Sequence, residues 1–233
     1  MIRGEPAMVC ALSEIKIDLE EANKQLRAGS PEERMTWAFE RFGRGLVLST
    51  SFGMYSAVML HLASRVLPEL TVLFVDSGFL TPETYRFKKE LVERLGLRVR
   101  SFIPARTRAE LEALDGPLAE LLASDNGRKE LAGEIKVEPF ERGLKELEAR
   151  AWMSGVLRGE TEQRREFHYL MQRSDGLYKV HPILDWNSKR CYAYLKQHGL
   201  PINEHYLDIC KSGQTECGIH LTGLNLSLTA SEL

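Results

Sequence analysis

The stretch Leu46-Val47-Leu48-Ser49-Thr50-Ser51-Phe52-Gly53 decides the fold. Its apolar half reads as a buried strand, and its small hydroxyl residues and glycine read as the turn that ends it. Met54 to Val66 then continues at helical spacing. A strand that turns sharply into a helix offers backbone N–H groups and the positive end of the helix dipole to an anion. Ser49, Thr50 and Ser51 add side-chain donors. The run has no Gly-Lys-Ser/Thr, so it is not a Walker A phosphate loop. Taken alone, the same residues also read as an ordinary strand-to-helix turn.

Working outward, Thr71 to Val75 is a second apolar strand that ends in Asp76-Ser77-Gly78. Thr81-Pro82-Glu83 opens a helix that runs to about Leu95, and Leu97 to Ile103 is a third strand. Strand, helix, strand, helix, strand predicts an α/β fold: a mostly parallel twisted sheet with helices on both faces. Ligands of such sheets bind at the carboxyl ends of the strands, where both hydroxyl- and glycine-bearing turns lie.

Upstream, residues 13–42 read as helices, with Ser30-Pro31-Glu32-Glu33 as a cap. Downstream, residues 104–134 read as charged helix with a break at Ser124-Asp125-Asn126-Gly127, and residues 138–149 as a further helix. Ala151 to Val156 reads as a fourth strand and Tyr178 to Ile183 as a short one. Ser188 to His198 is a helix stopped by Gly199. Three segments are expected: an N-terminal helical segment (1–42), a nucleotide-binding α/β domain (43–202) and a mobile C-terminal tail (203–233).

With 31 basic and 33 acidic residues, the net charge of −2 argues against binding nucleic acid through a broad basic surface. No apolar run approaches the roughly 20 residues that span a bilayer, and residues 1–12 lack the apolar core of a secretory leader. A cytoplasmic protein is expected. Its four cysteines, Cys10, Cys191, Cys210 and Cys217, are scattered and read as thiols, with no Cys-x-x-Cys spacing for a metal.

Three further groups carry chemistry. Asp76-Ser77-Gly78 reads either as a ribose or adenine contact or as a helix-capping turn. Arg158, Arg164 and Arg165 suit phosphate or sulfate, although Glu160, Glu162 and Glu166 suit a solvated, locally neutralised face equally well. Thr215-Glu216-Cys217-Gly218-Ile219-His220 holds one thiol in a polar tail. A free thiol ionises near pH ~8.5, so nucleophilic use needs neighbouring cations such as His220 or the arginines. A lone cysteine near a terminus is more often incidental.

Five blocks taken together resemble the phosphoadenylyl-sulfate reductase family, within the adenine nucleotide alpha hydrolase-like fold. They are Val47 to Gly53, Asp76 to Phe87, Lys136-Val137-Glu138-Pro139 with Arg142 and Leu144, Val180 to Trp186, and Glu216 to His220. The resemblance implies that Cys217, with His220, attacks the sulfur of 3'-phosphoadenylyl sulfate. It implies that Ser49, Thr50, Ser51, Phe52, Gly53, Asp76, Ser77, Gly78, Lys136, Arg142, Arg158, Thr161 and Arg164 hold nucleotide and sulfate. Thioredoxin or glutaredoxin is then the reductant, no cofactor is bound, and a homodimer is an open option.

Members that use adenylyl sulfate usually hold an iron–sulfur cluster on a Cys-Cys pair and a later Cys-x-x-Cys. Here the first position reads Leu131-Ala132-Gly133-Glu134-Ile135, and only three cysteines remain beside Cys217, so no cluster is expected. Two departures stand out: Leu157 replaces an arginine of the family pattern, and Asn203 to Thr215 is a short link. The competing readings are a cluster-free adenylyl-sulfate reductase and a nucleotide-binding accessory protein of sulfur metabolism. Phe52-Gly53-Met54-Tyr55-Ser56 lacks the Ser-Gly-Gly-x-Asp-Ser of ATP pyrophosphatases.

Overall fold

The computed structural model describes residues 16–211, 218–221 and 223. Two capped helices lead. In α1 (Leu19–Ala28) the Asp18 carboxylate accepts from the amides of Glu20 and Glu21. In α2 (Pro31–Phe42) Ser30 and Glu33 form a reciprocal capping box, with proline in the first turn. The α/β unit follows as β1 (Leu46–Thr50), α3 (Ser56–Val66), β2 (Thr71–Val75), α4 (Pro82–Leu95) and β3 (Arg98–Phe102). Gly96, at φ 63°, ends α4 in the left-handed conformation that glycine favours.

Between β3 and the next strand the chain forms α5 (Arg108–Asp115), α6 (Leu118–Leu121), α7 (Asp125–Ala132), a π turn (Gly133–Val137) and α8 (Glu138–Glu146). The expected break falls between α6 and α7, at residues 122–124, and the rest of the Ser124 to Gly127 run opens the next helix: Ser124 Oγ accepts from the Gly127 amide and caps α7. The remaining elements are β4 (Ala151–Met153), two 3-10 turns (Arg158–Glu160 and Gln163–Glu166), β5 (Leu170–Gln172), β6 (Tyr178–Val180), α9 (Ser188–Gln197) and α10 (Gly218–Leu221).

Six strands make one sheet in the order β3-β2-β1-β4-β6-β5, all parallel except the antiparallel β5–β6 pair. The sequence reading missed β5. It is three residues long and closes on β6 through Asp175 and Gly176 (φ 89°), too short for a periodic signal. The fourth and fifth predicted strands are also shorter: the ladder carries on only through the Ser154 amide to the Val180 carbonyl and the His181 amide to the Tyr169 carbonyl, and the chain leaves the sheet after them.

Both faces of the sheet are covered. On one, α1, α2, α3, α4 and α9 pack over Leu46, Leu48, Met153 and Val180 in the main core. On the other, Phe140 and Leu144 of α8 pack over Val47, Leu73, Phe102 and Trp152. Gly143 permits that approach, since a Cβ there would lie 2.9 Å from the Phe102 ring. The N-terminal helices belong to the same core as the sheet through Ala22, Leu26, Met35 and Ala38. The strand order reverses at β1, so a crevice opens between the carboxyl ends of β1 and β4.

Candidate active site

A cavity of about 410 Å³ occupies that crevice. Its floor is the turn after β1, built by an unusual backbone. Phe52 takes a left-handed φ of 52°, a conformation that costs a non-glycine residue roughly 1–3 kcal/mol. Its ring is fully buried edge-on to Phe74, with centroids 5.1 Å apart, and burying a phenylalanine contributes about 1.5–3 kcal/mol. The two are of similar size, so core burial holds the strained turn.

Hydrogen bonds fix the turn further. Thr50 Oγ1 accepts from the Phe52 amide at 3.1 Å, and Ser49 Oγ donates to the Met153 carbonyl at 3.3 Å, tying β1 to β4. Asn203 Nδ2 donates to the Phe52 carbonyl (2.8 Å) and to Thr84 Oγ1 (3.0 Å). Asn203 is buried, and nothing in its local sequence announced this role. The N-cap of α3, Tyr55, makes no side-chain cap; the Ser56 and Val58 amides donate instead to the Gly53 and Tyr55 carbonyls, each at 3.0 Å. An anion at this end of the cavity meets donors and the positive end of an 11-residue helix.

Ser49, Thr50, Ser51, Gly53, Ser77, Lys136, Arg164 and His220, all predicted from sequence, line this cavity. Lys136 projects from the π turn and pairs with Asp208, each side chain 12% exposed. Arg164 is buried in the second 3-10 turn and pairs with Glu160 of the first. Tyr206, Asp208 and Lys211, from the link that follows α9, line the cavity as well. The short link therefore supplies cavity residues, which its sequence did not signal.

Other predicted residues lie elsewhere. The Phe52 side chain enters the core, and only its backbone shapes the site. Asp76 accepts from the Gly78 amide (3.0 Å) and the Tyr85 hydroxyl (2.7 Å), the turn-capping arrangement. Burial, followed by the hydrogen bond to Asp76, raises the Tyr85 pKa. Gly78, at φ 77°, completes the turn but does not line the cavity. Arg142 pairs with Glu138 one turn away and donates to the Ile103 carbonyl, outside the cavity. Arg158 donates to the Phe167 carbonyl at 3.1 Å, and Thr161 is buried beside the 3-10 turns. Leu157, where the family pattern has arginine, is 2% exposed and packs into the main core while lining the cavity.

Cys217 lies outside the described residues, as does Cys10. His220, three positions further on, is described. Lys179, wholly buried in β6, donates from Nζ to the His220 carbonyl at 2.6 Å and so anchors α10 to the sheet. The same ammonium lies 4.6 Å from the Trp152 ring centroid and 5.2 Å from that of Phe167. Burial first, then Lys179, Arg164 and Lys211, holds the His220 pKa well below the ordinary histidine range. The ring is therefore neutral at pH 7. Cys191 also lines the cavity, but burial pushes its thiol up to about 12, which makes it a poor nucleophile. Among the described residues, no His/Cys/Asp/Glu group could hold a metal ion and no helix is long and apolar enough to cross a membrane.

A parallel sheet with a nucleotide-type crevice at its reversal point, floored by a Ser/Thr turn into a helix, defines an adenine nucleotide alpha hydrolase-like protein. The solved structure of Candida glabrata FMN adenylyltransferase in complex with ATP shares this fold, with a TM-score of 0.55 and 16% identity over 81% of this chain and 61% of that one. The phosphoadenosine phosphosulfate reductase domain matches residues 45–214, and the chain belongs to that family. The phosphoadenosine 5'-phosphosulfate reductase of Synechococcus sp. is 42% identical over 84% of this chain and 81% of its own length. That of Thiocapsa roseopersicina is 43% identical over 78% and 75%. The phosphoadenylyl-sulfate reductase of Candida auris, solved as a phosphate complex, superposes with a TM-score of 0.70 at 25% identity, covering 82% of this chain and 92% of that one.

Proposed function

We propose that this chain reduces 3'-phosphoadenylyl sulfate to sulfite and adenosine 3',5'-bisphosphate in sulfate assimilation, in the cytoplasm, with thioredoxin or glutaredoxin as reductant. One observation carries the reading: the cavity joins an anion-binding turn and the cations Lys136, Arg164 and Lys211 to His220, three residues from Cys217 in the chain. The Cys217 thiolate attacks the sulfur of the sulfate. The Sγ–S bond forms as the S–O bond to the 5'-phosphate breaks, and the electron pair leaves on the phosphate oxygen. The turn and the cations stabilise that growing negative charge. A thiolate of the donor dithiol then attacks Cys217 Sγ and expels sulfite. The second donor thiol resolves the mixed disulfide and returns Cys217 as thiolate.

The cycle asks for no resident metal or cluster. Leu131 and Ile135, flanking the place where the resemblance would put a Cys-Cys pair, pack into a small apolar cluster with Phe79 and Leu111. A second reading, a cluster-free adenylyl-sulfate reductase, draws on Leu157, whose apolar side chain removes one cation from 3'-phosphate recognition. Sulfite release with a thioredoxin system, assayed on the two nucleotides in parallel, separates the two readings. Turnover of 3'-phosphoadenylyl sulfate alone supports the first, turnover of adenylyl sulfate alone the second, and turnover of neither contradicts both.

A further inference from the structure

Ser154 immediately follows β4, and its amide donates to the Val180 carbonyl at 3.1 Å, extending the β4–β6 ladder by one residue. Trp152 and Lys179 are paired in register on these strands, and the Lys179 ammonium lies over the Trp152 ring. Side chains two positions apart on a strand share a face. Ser154 therefore returns to the face of Trp152 and Lys179, the one covered by α8 and by Ile219 of α10. It is 2% exposed and lines the cavity, yet its Oγ has no hydrogen-bond partner among the described residues.

A buried hydroxyl without a partner is uncommon and destabilises the fold that holds it. Trp152 Nε1, His181 Nε2 and His220 Nδ1 are likewise buried without a hydrogen-bond partner among the described residues. Trp152 lies two residues before Ser154 on its face, His181 two residues after Lys179, and His220 lines the same cavity. Lys136, Arg164 and Lys211 line this cavity too, the first two paired with its carboxylates Asp208 and Glu160, and Lys179 holds the His220 carbonyl. These cations, with the Trp152 indole N–H as a further donor, favour an oxyanion as the missing acceptor, and a serine hydroxyl is small enough to reach one oxygen.

We propose that Ser154 Oγ donates a hydrogen bond to a tetrahedral oxyanion of the bound nucleotide, which makes Ser154 a further substrate-binding residue. The proposal rests on the reading of the cavity as the nucleotide site. The oxyanion is either the sulfate or a phosphate of the nucleotide, and two probes distinguish them.

The test compares the intact chain with Ser154→Ala by calorimetric titration of 3'-phosphoadenylyl sulfate and of adenosine 3',5'-bisphosphate, in the absence of reductant and on a Cys217→Ser background that prevents turnover. The free-protein Tm is measured alongside. Ser154→Ala is expected to bind on the order of 10-fold more weakly, as for loss of one hydrogen bond to a charged group. Its free-protein Tm should be equal to or above that of the parent, because an unpartnered hydroxyl has been removed. Weakening confined to the sulfated nucleotide assigns the contact to the sulfate, and weakening of both assigns it to a phosphate. Unchanged affinity for both, with the parent binding normally, overturns the proposal, as does a lowered free-protein Tm, which marks a structural role. A parent that binds neither nucleotide overturns the reading of the cavity itself, and the proposal with it.

Discussion

The buried ammonium of Lys179 donates a 2.6 Å hydrogen bond to the backbone carbonyl of His220. It links β6, in the body of the sheet, to α10, which begins one residue after Cys217. A lysine that is 0% exposed needs strong compensation, and here two aromatic rings and a carbonyl supply part of it. Lys179→Met keeps the packing volume and removes the donor. It should lower kcat at least 10-fold while leaving nucleotide affinity within about 3-fold, given the worth of a charge-assisted hydrogen bond. Steady-state kinetics and equilibrium titration check this; a loss of affinity as large as the loss of kcat would place Lys179 in nucleotide binding instead.

Asn203 braces the turn after β1 from the far side of the sequence, through Phe52 and Thr84. Asn203→Ala leaves the buried Phe52 carbonyl without that donor, at a cost of about 2 kcal/mol. For a chain of this size that is roughly 4–8 °C in Tm. Thermal unfolding measures it, and nucleotide affinity should fall in parallel because the turn loosens. An unchanged Tm would show that the brace is dispensable.

Two arginines of the family pattern make a clean contrast. Arg164 is buried and lines the cavity, whereas Arg142 is tied to Glu138 and Ile103 outside it. Arg164→Ala should weaken nucleotide binding on the order of 10-fold or more, through loss of charge-assisted contacts. Arg142→Ala should leave affinity within about 2-fold. Equal effects from both would mean that the nucleotide reaches well beyond the cavity.

Acid should destabilise the protein through His181. The residue is wholly buried, its Nδ1 meets the His168 carbonyl at 2.8 Å, and Phe167 stacks on the ring. A carbonyl only accepts, so Nδ1 carries the proton and Nε2 is bare. Burial most of all, with Lys179, His220 and Arg164 nearby, holds its pKa well below the ordinary value, against the opposing pull of the carbonyl. The folded state then binds fewer protons than the unfolded one below pH ~6.5. Stability is full above that pH and falls as pH drops toward the depressed folded-state value. Tm measured from pH 8 to pH 5 should show this decline, and His181→Asn should make it shallower, His220 contributing the remainder. A Tm independent of pH over that range would contradict the assignment.

The parts of the fold legible in the sequence were those with periodic, local signals. Ser30 and Glu33 announced the α2 cap, and the strand from Leu46 into the Ser/Thr turn announced the parallel unit. What escaped the sequence was set by distant contacts. Strand β5 is three residues long and exists because β6 is beside it. Lys179 looked like an ordinary strand lysine until α10 supplied its acceptor. Asn203 looked like part of a loose link until Phe52 and Thr84 met it. Phe52 shows the opposite lesson: it sits in the right motif, but its ring serves the core and only its backbone serves the cavity.

The most direct test of the central claim is mass spectrometry of the reduced protein after incubation with 3'-phosphoadenylyl sulfate and no thiol donor. Peptide mapping locates any added SO3. An adduct on Cys217, removed by thioredoxin with release of sulfite and absent from Cys217→Ser, is the predicted result. No adduct on Cys217 while the nucleotide is bound, or an adduct formed from adenylyl sulfate but not from its 3'-phosphorylated form, would contradict the account.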